Sequence, residues 1–337
     1  MRKAGFDLAR IVAIAGAVLV HTVMLFWDFD PTVPTWRVYN YLSLTGHFCI
    51  PLFFMISGAL LLGRETLDFR RHLRRTGRFV LLFYLWSLLC YGLDARFFHV
   101  WTPGEKLLPL VLGGYYHLWF LPALTLCYCA VPLLHGLLHQ NAADARKGAW
   151  LICGVMAGLT TLKALGNSLP ALGELLRPWQ VSDLQYLVCF LLGWLLRDRR
   201  LSPRRLTYLG LATLAVQLLF SWLNRRYAIA AGYAIGVYYG DLQLPALLTA
   251  AFIFCLCQSL EARLAPAAGV LRTLSSCAFG VYLLHPLCID ALRAQHLDFR
   301  DYNTFWFFPA CYLGFVLLPL GMTLLLRKIP LLKKLVQ

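Results

Sequence analysis

A chain of 337 residues that is 60% hydrophobic and only 14% charged, with a mean hydropathy of +0.65, is not a soluble globular domain. The formal net charge of +15 suggests nucleic acid, yet basic residues gathered at the helix ends of an inner-membrane protein reach the same total, so no nucleic-acid partner is expected. What remains is a multi-pass membrane protein, read as one domain over 1–337 because no stretch is polar enough to form a second.

The apolar blocks predict an all-α integral membrane bundle of about ten transmembrane helices. They lie near 8–27, 41–63, 77–94, 117–136, 149–166, 183–197, 203–222, 246–260, 274–292 and 304–326, the sixth and eighth being short. The opening run could pass for a signal peptide. It is long enough to span, however, and holds Asp7, Arg10 and His21, so it reads as a retained first helix.

Within that helix the stretch RIVAIAGAVLVH separates Arg10 from His21 by eleven residues. Eleven residues turn about 1100°, roughly 20° past three full turns, so both side chains share a face and stand ~16 Å apart along the axis. Ala13, Ile14 and Ala17 lie between them on that face; the alanines suit either close helix packing or a cavity. Arg10 reads as a snorkelling residue paired with Asp7, or as part of a site. His21 reads as an interhelical hydrogen-bonding group, or as one that exchanges a proton near neutral pH.

Further along, PLFFMISGALLLG holds a Ser57–Gly58 pair suited to close helix contact. DFRRHLRRTGRFV opens the third helix. Arg71, Arg74, Arg75 and Arg78 are spaced i, i+3, i+4 and i+7, one basic stripe if helical. The stripe suits anchoring to anionic lipid headgroups or clamping a phosphate. The apolar segment 107–115 is too brief to cross. YYHLWFLPAL then puts Tyr116, His117 and Trp119 where the fourth helix begins, and YAIAAGYAIGVYYG (227–240) is expected at the membrane interface. FGVYLLHPL carries His285 to a depth like that of His21, so His21, His117 and His285 could converge on one site or be three separate core residues.

The eleven cysteines are scattered, with C-x-C at Cys127/Cys129 and Cys255/Cys257 and no C-x-x-C pair. They read as small apolar residues, and no metal is expected. There is no G-x-S-x-G, P-loop or dinucleotide fingerprint. With a cytoplasmic N-terminus, 21 Lys and Arg fall on the inner side and 8 on the outer, with Arg10 and Lys163 inside helices. That asymmetry predicts both termini in the cytoplasm.

Taken in order, FDLARIVAIAGAVLVH, IPLFFMISGALLLG, the arginine-rich start of helix three, YYHLWFLPAL, LQYLVCFLLGWLL and FGVYLLHPL resemble the membrane-bound acyltransferase family 3 across most of the chain. Within it, the histidine–tryptophan stretch and compact length look most like the branch that O-acetylates enterobacterial common antigen. The resemblance carries an arginine, ten residues and a histidine onto Arg10 and His21. It carries R-x-x-R onto either Arg71–Arg74 or Arg75–Arg78, the latter preferred because Phe79 begins the apolar run directly. Ile11 stands where family members usually have glycine, and no fused esterase-like domain is expected.

The resemblance implies acyl transfer from acetyl-CoA to a hydroxyl of a cell-envelope polysaccharide or lipid-linked glycan, in the bacterial inner membrane. Arg75 and Arg78, with Arg71 and Arg74, would hold the coenzyme phosphates. His21 would be general base or transient acyl carrier, supported by Arg10 and His285, while His117, Trp119 and Tyr116 would meet the sugar. Membrane lipid is the other partner, and a homo-oligomer is compatible with this reading. The rival reading is a transporter or flippase of a lipid-linked glycan, since intramembrane Arg and His also suit substrate pathways. Against it, the two halves show no repeat.

Overall fold

The structure is a computed structural model that describes residues 3–27, 29–101, 111, 113–140, 142–167, 183–297 and 304–336. Of the loop cations counted above, Arg2, Lys106, Arg177 and Arg300 lie outside the described residues, as does most of segment 107–115. Among the described residues every regular element is helical: α1 (Ala4–Phe26), α2 (Pro34–Gly46), α3 (Cys49–Leu61), α4 (Phe69–Leu93), α5 (Phe120–Gln140), α6 (Ala142–Gly166), α7 (Leu187–Leu196), α8 (Pro203–Ala231), α9 (Leu244–Ser259), α10 (Ala268–Arg293), α11 (Thr304–Leu326) and α12 (Pro330–Val336).

Eight helical stretches among them are long and apolar enough to cross a membrane, with α2 and α3 counted as one, Pro34–Leu61. The short apolar helices α7 and α9 occupy the sixth and eighth predicted positions, so each of the ten expected segments has a helix.

Three boundaries differ from the hydropathy reading, each for a local reason. Helix α1 begins at Ala4 because Glu261 accepts the amides of Ala4 (2.9 Å) and Gly5 (2.7 Å), two of the donors a helix start leaves open. Helix α4 begins at Phe69, with Asp68 accepting the Arg71 amide at 2.9 Å as N-cap. Helix α8 runs on to Ala231 and stops at Gly232, whose φ of +79° suits a residue without a Cβ. The segment expected at the interface therefore begins inside a helix. Beyond it, Tyr238 and Tyr239 are buried in protein.

The second span is not continuous. Helix α2 ends at Gly46 and α3 starts at Cys49, with His47 and Phe48 in a turn. Pro51 has no N–H for the carbonyl four residues back, which is that of His47, and its ring crowds that carbonyl. The break falls where this predicts.

The chain packs as two compact units. The first comprises Met1–Glu65 and Leu133–Ser275. There α3 lies against α7 with little between the backbones. A Cβ at Gly58 would collide with the Phe190 backbone, and one at Gly193 with the Met55 carbonyl. The Ser57–Gly58 pair thus serves the close contact expected of it. Helix α1 packs on α2, α3 and α9, where Gly5 meets the Cys257 carbonyl, Gly16 the Phe48 ring, and Gly46 the Val20 side chain. A buried amide network ties α2 to α8. Asn224 Nδ2 donates to Asn40 Oδ1 (2.7 Å) and the Ile235 carbonyl (2.9 Å). Tyr239 donates to Asn40 Oδ1 (2.7 Å), and Asn40 Nδ2 to the Ser221 carbonyl (3.0 Å). Burial pushes the Tyr239 phenol well above its ordinary range, so it stays a donor.

The second unit comprises Thr66–Pro132 and Ser276–Gln337. Its core joins Leu82, Phe83, Trp86 and Tyr91 of α4 with Tyr115, Leu118 and Leu121 and with Leu283, Leu284 and Leu287 of α10. The last carbonyls of α12 are capped from α4: Arg78 Nη2 donates to the Lys334 carbonyl at 2.6 Å, and Trp86 Nε1 to that of Leu335 at 3.1 Å.

Candidate functional site

In the first unit, α1 holds Arg10 and His21 on one helical face, both half-buried, with Ala13 and Ala17 buried between them. Arg10 does not simply reach for headgroups. Its Nη1 lies 3.3 Å from Asp7 Oδ1 and 3.3 Å from Ser275 Oγ, and Asp7 is 2% exposed. A carboxylate and a hydroxyl thus hold the guanidinium on α1.

In the second unit the arginine stripe is helical over its whole length, since α4 begins at Phe69. Arg71, Arg74, Arg75 and Arg78 are all exposed. The opposite side of the same turns buries His72 and Thr76. His72 donates from Nε2 to the Tyr128 carbonyl at 2.8 Å and stacks on the Tyr128 ring. The basic face is therefore presented on a fixed helix, and both R-x-x-R pairs lie on it. Arg78 is tied to α12 and Arg71 to Asp68 (3.5 Å).

His117 and His285 do come together in this unit, with ring centroids 6.0 Å apart and both side chains buried. His285 Nδ1 lies 3.0 Å from the Val281 carbonyl, which can only accept. That nitrogen carries the hydrogen, and in the neutral ring Nε2 holds the lone pair. Tyr282 donates to the His117 carbonyl at 2.8 Å, while the rings of Tyr116 and Tyr282 each stand 5.4 Å from that of His117. Tyr116 also packs on Trp101, at 5.1 Å. Trp119 is exposed and stands edge-on to Phe120, whose ring in turn lies 5.8 Å from that of Tyr282. Beside the cage, Asp290 accepts from Tyr115 (2.8 Å), Trp101 Nε1 (3.3 Å) and Arg293 Nη1 (3.2 Å). Burial and then the Asp290 carboxylate push the Tyr115 phenol far above its ordinary range, which keeps it a donor.

A sequence profile described as an acyltransferase domain matches residues 3–335 of the chain, nearly its whole length. The chain belongs to membrane acyltransferase family 3. The arginine–histidine helix and the arginine stripe thus lie within an acyltransferase domain. Among curated proteins, an amino-acid racemase from Enterococcus faecalis is 30% identical over 151 residues, 40% of this chain; the chain spans about a fifth of that relative's length. No solved structure matches.

Several polar residues of this family 3 acyltransferase escaped the sequence reading. Ser275 lies 265 positions from the arginine it meets, and no local pattern links them. Asp290 follows His285 by five residues, and an acidic residue inside an apolar helix could have marked it. A basic surface in the first unit was missed as well. A cavity there is lined by Arg146, Trp194, Asp198 and Arg199, with the Arg146 guanidinium 4.9 Å above the Trp194 ring. Burial pushes the Asp198 carboxyl up, but the hydrogen bond and charge of Lys3 at 3.0 Å, with Arg197 and Arg146, hold it below the ordinary carboxylate range.

Proposed function

We propose that the protein moves an acetyl or other short acyl group from acetyl-CoA to a hydroxyl of a cell-envelope polysaccharide or lipid-linked glycan, in the inner membrane of a bacterium. One observation carries this reading. In a family 3 acyltransferase, the arginine of an Arg–x10–His helix is clamped by a buried carboxylate and a hydroxyl, with His21 on the same face. Such ionisable groups are costly in a spanning helix and mark working sites.

His21 is the general base on the acceptor hydroxyl or a transient acyl carrier. The exposed stripe of Arg75 and Arg78, flanked by Arg71 and Arg74, suits the coenzyme phosphates, because guanidinium forks match phosphate oxygens in pairs. The cage of Tyr116, His117 and His285, with Trp119 beyond it, is offered to the acceptor and to proton relay. The excess of loop cations on one side supports cytoplasmic termini and a cytoplasmic donor site.

The test is chemical. Purified protein in detergent should consume acetyl-CoA only when an acceptor glycan is present. His21→Ala should insert normally and form no ester. Wild-type product from that variant would reject the assignment of His21, and wild-type protein that moves glycan without consuming acetyl-CoA would favour a transporter.

A further inference from the structure

His47 occupies the break in the second span, near the middle of the 28-residue apolar stretch Pro34–Leu61. Its Nδ1 lies 3.3 Å from Asp241 Oδ1, and the other carboxylate oxygen of Asp241 accepts the Tyr186 hydroxyl at 2.9 Å. An ionised carboxylate can only accept, so Nδ1 carries the hydrogen and the neutral ring keeps its lone pair on Nε2. Nε2 bonds no described residue and belongs to a side chain 25% exposed. The neighbouring Asn40–Asn224–Tyr239 network differs in this respect, its members being buried and bonded to one another.

Helix lengths put the trio at the depth of the apolar layer. Helices α7 and α9 have ten and sixteen residues, ~15 and ~24 Å of rise against ~30 Å of hydrocarbon. Charged residues follow both helices at one end, Arg197 after α7 and Glu261 and Arg263 after α9, so by length the opposite ends, which carry Tyr186 and Asp241, fall short of a full crossing. An acid and an imidazole so placed, with one ring nitrogen open, form an oriented proton acceptor more readily than a packing device. The trio also stands beside α1. A Cβ on Gly46 would lie 3.7 Å from the Val20 amide nitrogen. His47 follows Gly46 and His21 follows Val20, so one helix contact brings both histidine backbones together.

The geometry points to His47, oriented by Asp241 and Tyr186, as the group that takes the proton from the incoming hydroxyl; this rests on the acyl transfer proposed above. The hydroxyl oxygen bonds to the thioester carbonyl carbon as its proton passes to His47 Nε2. The carbon–sulfur bond breaks, and the imidazolium returns the proton to the departing thiolate. One ester and one thiol replace one thioester and one alcohol, with no further reagent. On this reading the hydroxyl proton goes to His47 rather than to His21, no acyl group rests on His21, and His21 acts by positioning the thioester.

The test uses full-length protein in lipid nanodiscs with acetyl-CoA and envelope glycan. Asp241→Asn keeps the side-chain shape but offers His47 an amide N–H, which drives the ring hydrogen onto Nε2 and removes the lone pair. Its kcat should fall about 10²–10⁴-fold with KM for acetyl-CoA unchanged, and His47→Gln should match it. Tyr186→Phe should lose less. Folded Asp241→Asn protein working within threefold of wild type would overturn the assignment. So would a raised KM for acetyl-CoA at unchanged kcat. If His47→Gln fails to fold, the isosteric Asp241→Asn still decides. Wild-type protein that consumes no acetyl-CoA with any glycan would instead overturn the acyl-transfer reading, a result read before any variant is made.

Discussion

Arg10 and Asp7, one turn apart on α1, form an ion pair at 3.3 Å in which the carboxylate is almost wholly enclosed and the guanidinium about a quarter exposed. Removing either partner strands the other, and the enclosed charge is the more costly to strand. Arg10→Ala should therefore lower the unfolding temperature in detergent more than Asp7→Ala. The double variant should fall short of the sum, with a coupling of about 0.5–3 kcal/mol. A thermal-shift cycle measures it, and strict additivity would mean that the pair contributes nothing.

The arginine stripe separates binding from anchoring. Arg75→Ala should weaken acetyl-CoA binding about tenfold, the scale of one lost charged hydrogen bond, and leave the melting temperature unchanged. Arg78→Ala should do both, because Arg78 also caps α12. Titration calorimetry paired with thermal melting distinguishes them. Equal behaviour of the two variants would assign the stripe to lipid.

Close helix contact gives a sharp contrast among glycines. Gly58→Ala and Gly193→Ala place a methyl into facing backbone, where nothing can rotate away, and should each cost about 1–3 kcal/mol or prevent folding. Gly77→Ala, with nothing within 4 Å, should be neutral or slightly stabilising. Detergent-solubilised yield and melting temperature report both.

Tyr115 supplies one of three donors to Asp290. Tyr115→Phe should destabilise the second unit by about 1–3 kcal/mol, since a buried acceptor loses a partner. An unchanged melting temperature would show that another donor takes its place.

Acid should loosen the start of α1. The Asp198 carboxyl is held below its ordinary range in the folded chain, so the tie to Lys3 stabilises fully above ~pH 4 and is lost as pH falls through the lowered value. Because Asp198 is largely exposed, the effect stays under about 1 kcal/mol. Hydrogen exchange of α1 amides in wild type and Asp198→Asn, at pH 7 and pH 3, should converge only at the lower pH.

Much of the architecture follows from hydropathy, because ~20 apolar residues in a row have few other uses. Helical period alone puts Arg10 with His21 and aligns the arginines of α4. What escaped that reading are partners joined across the chain. Asp241 lies in a loop 194 positions from His47 and 55 from Tyr186, with no periodic pattern to mark it. The histidine at 47 stood inside the predicted span 41–63, where no motif marked it, and the break at Pro51 that exposes it depends on the backbone four residues earlier. Spacing left open whether His21, His117 and His285 converge or stand apart, and the contact found within the second unit is that of His117 with His285.

Glu261 closes the first turn of α1 from more than 250 positions away. During biosynthesis the opening helix enters the bilayer with two of its amide hydrogens lacking this protein partner and left to water, and they stay so until the ninth helix has been inserted behind them. The segment threaded first is therefore among the last to be finished, and a ribosome stalled before codon 261 would leave a membrane-inserted chain whose leading helix still frays.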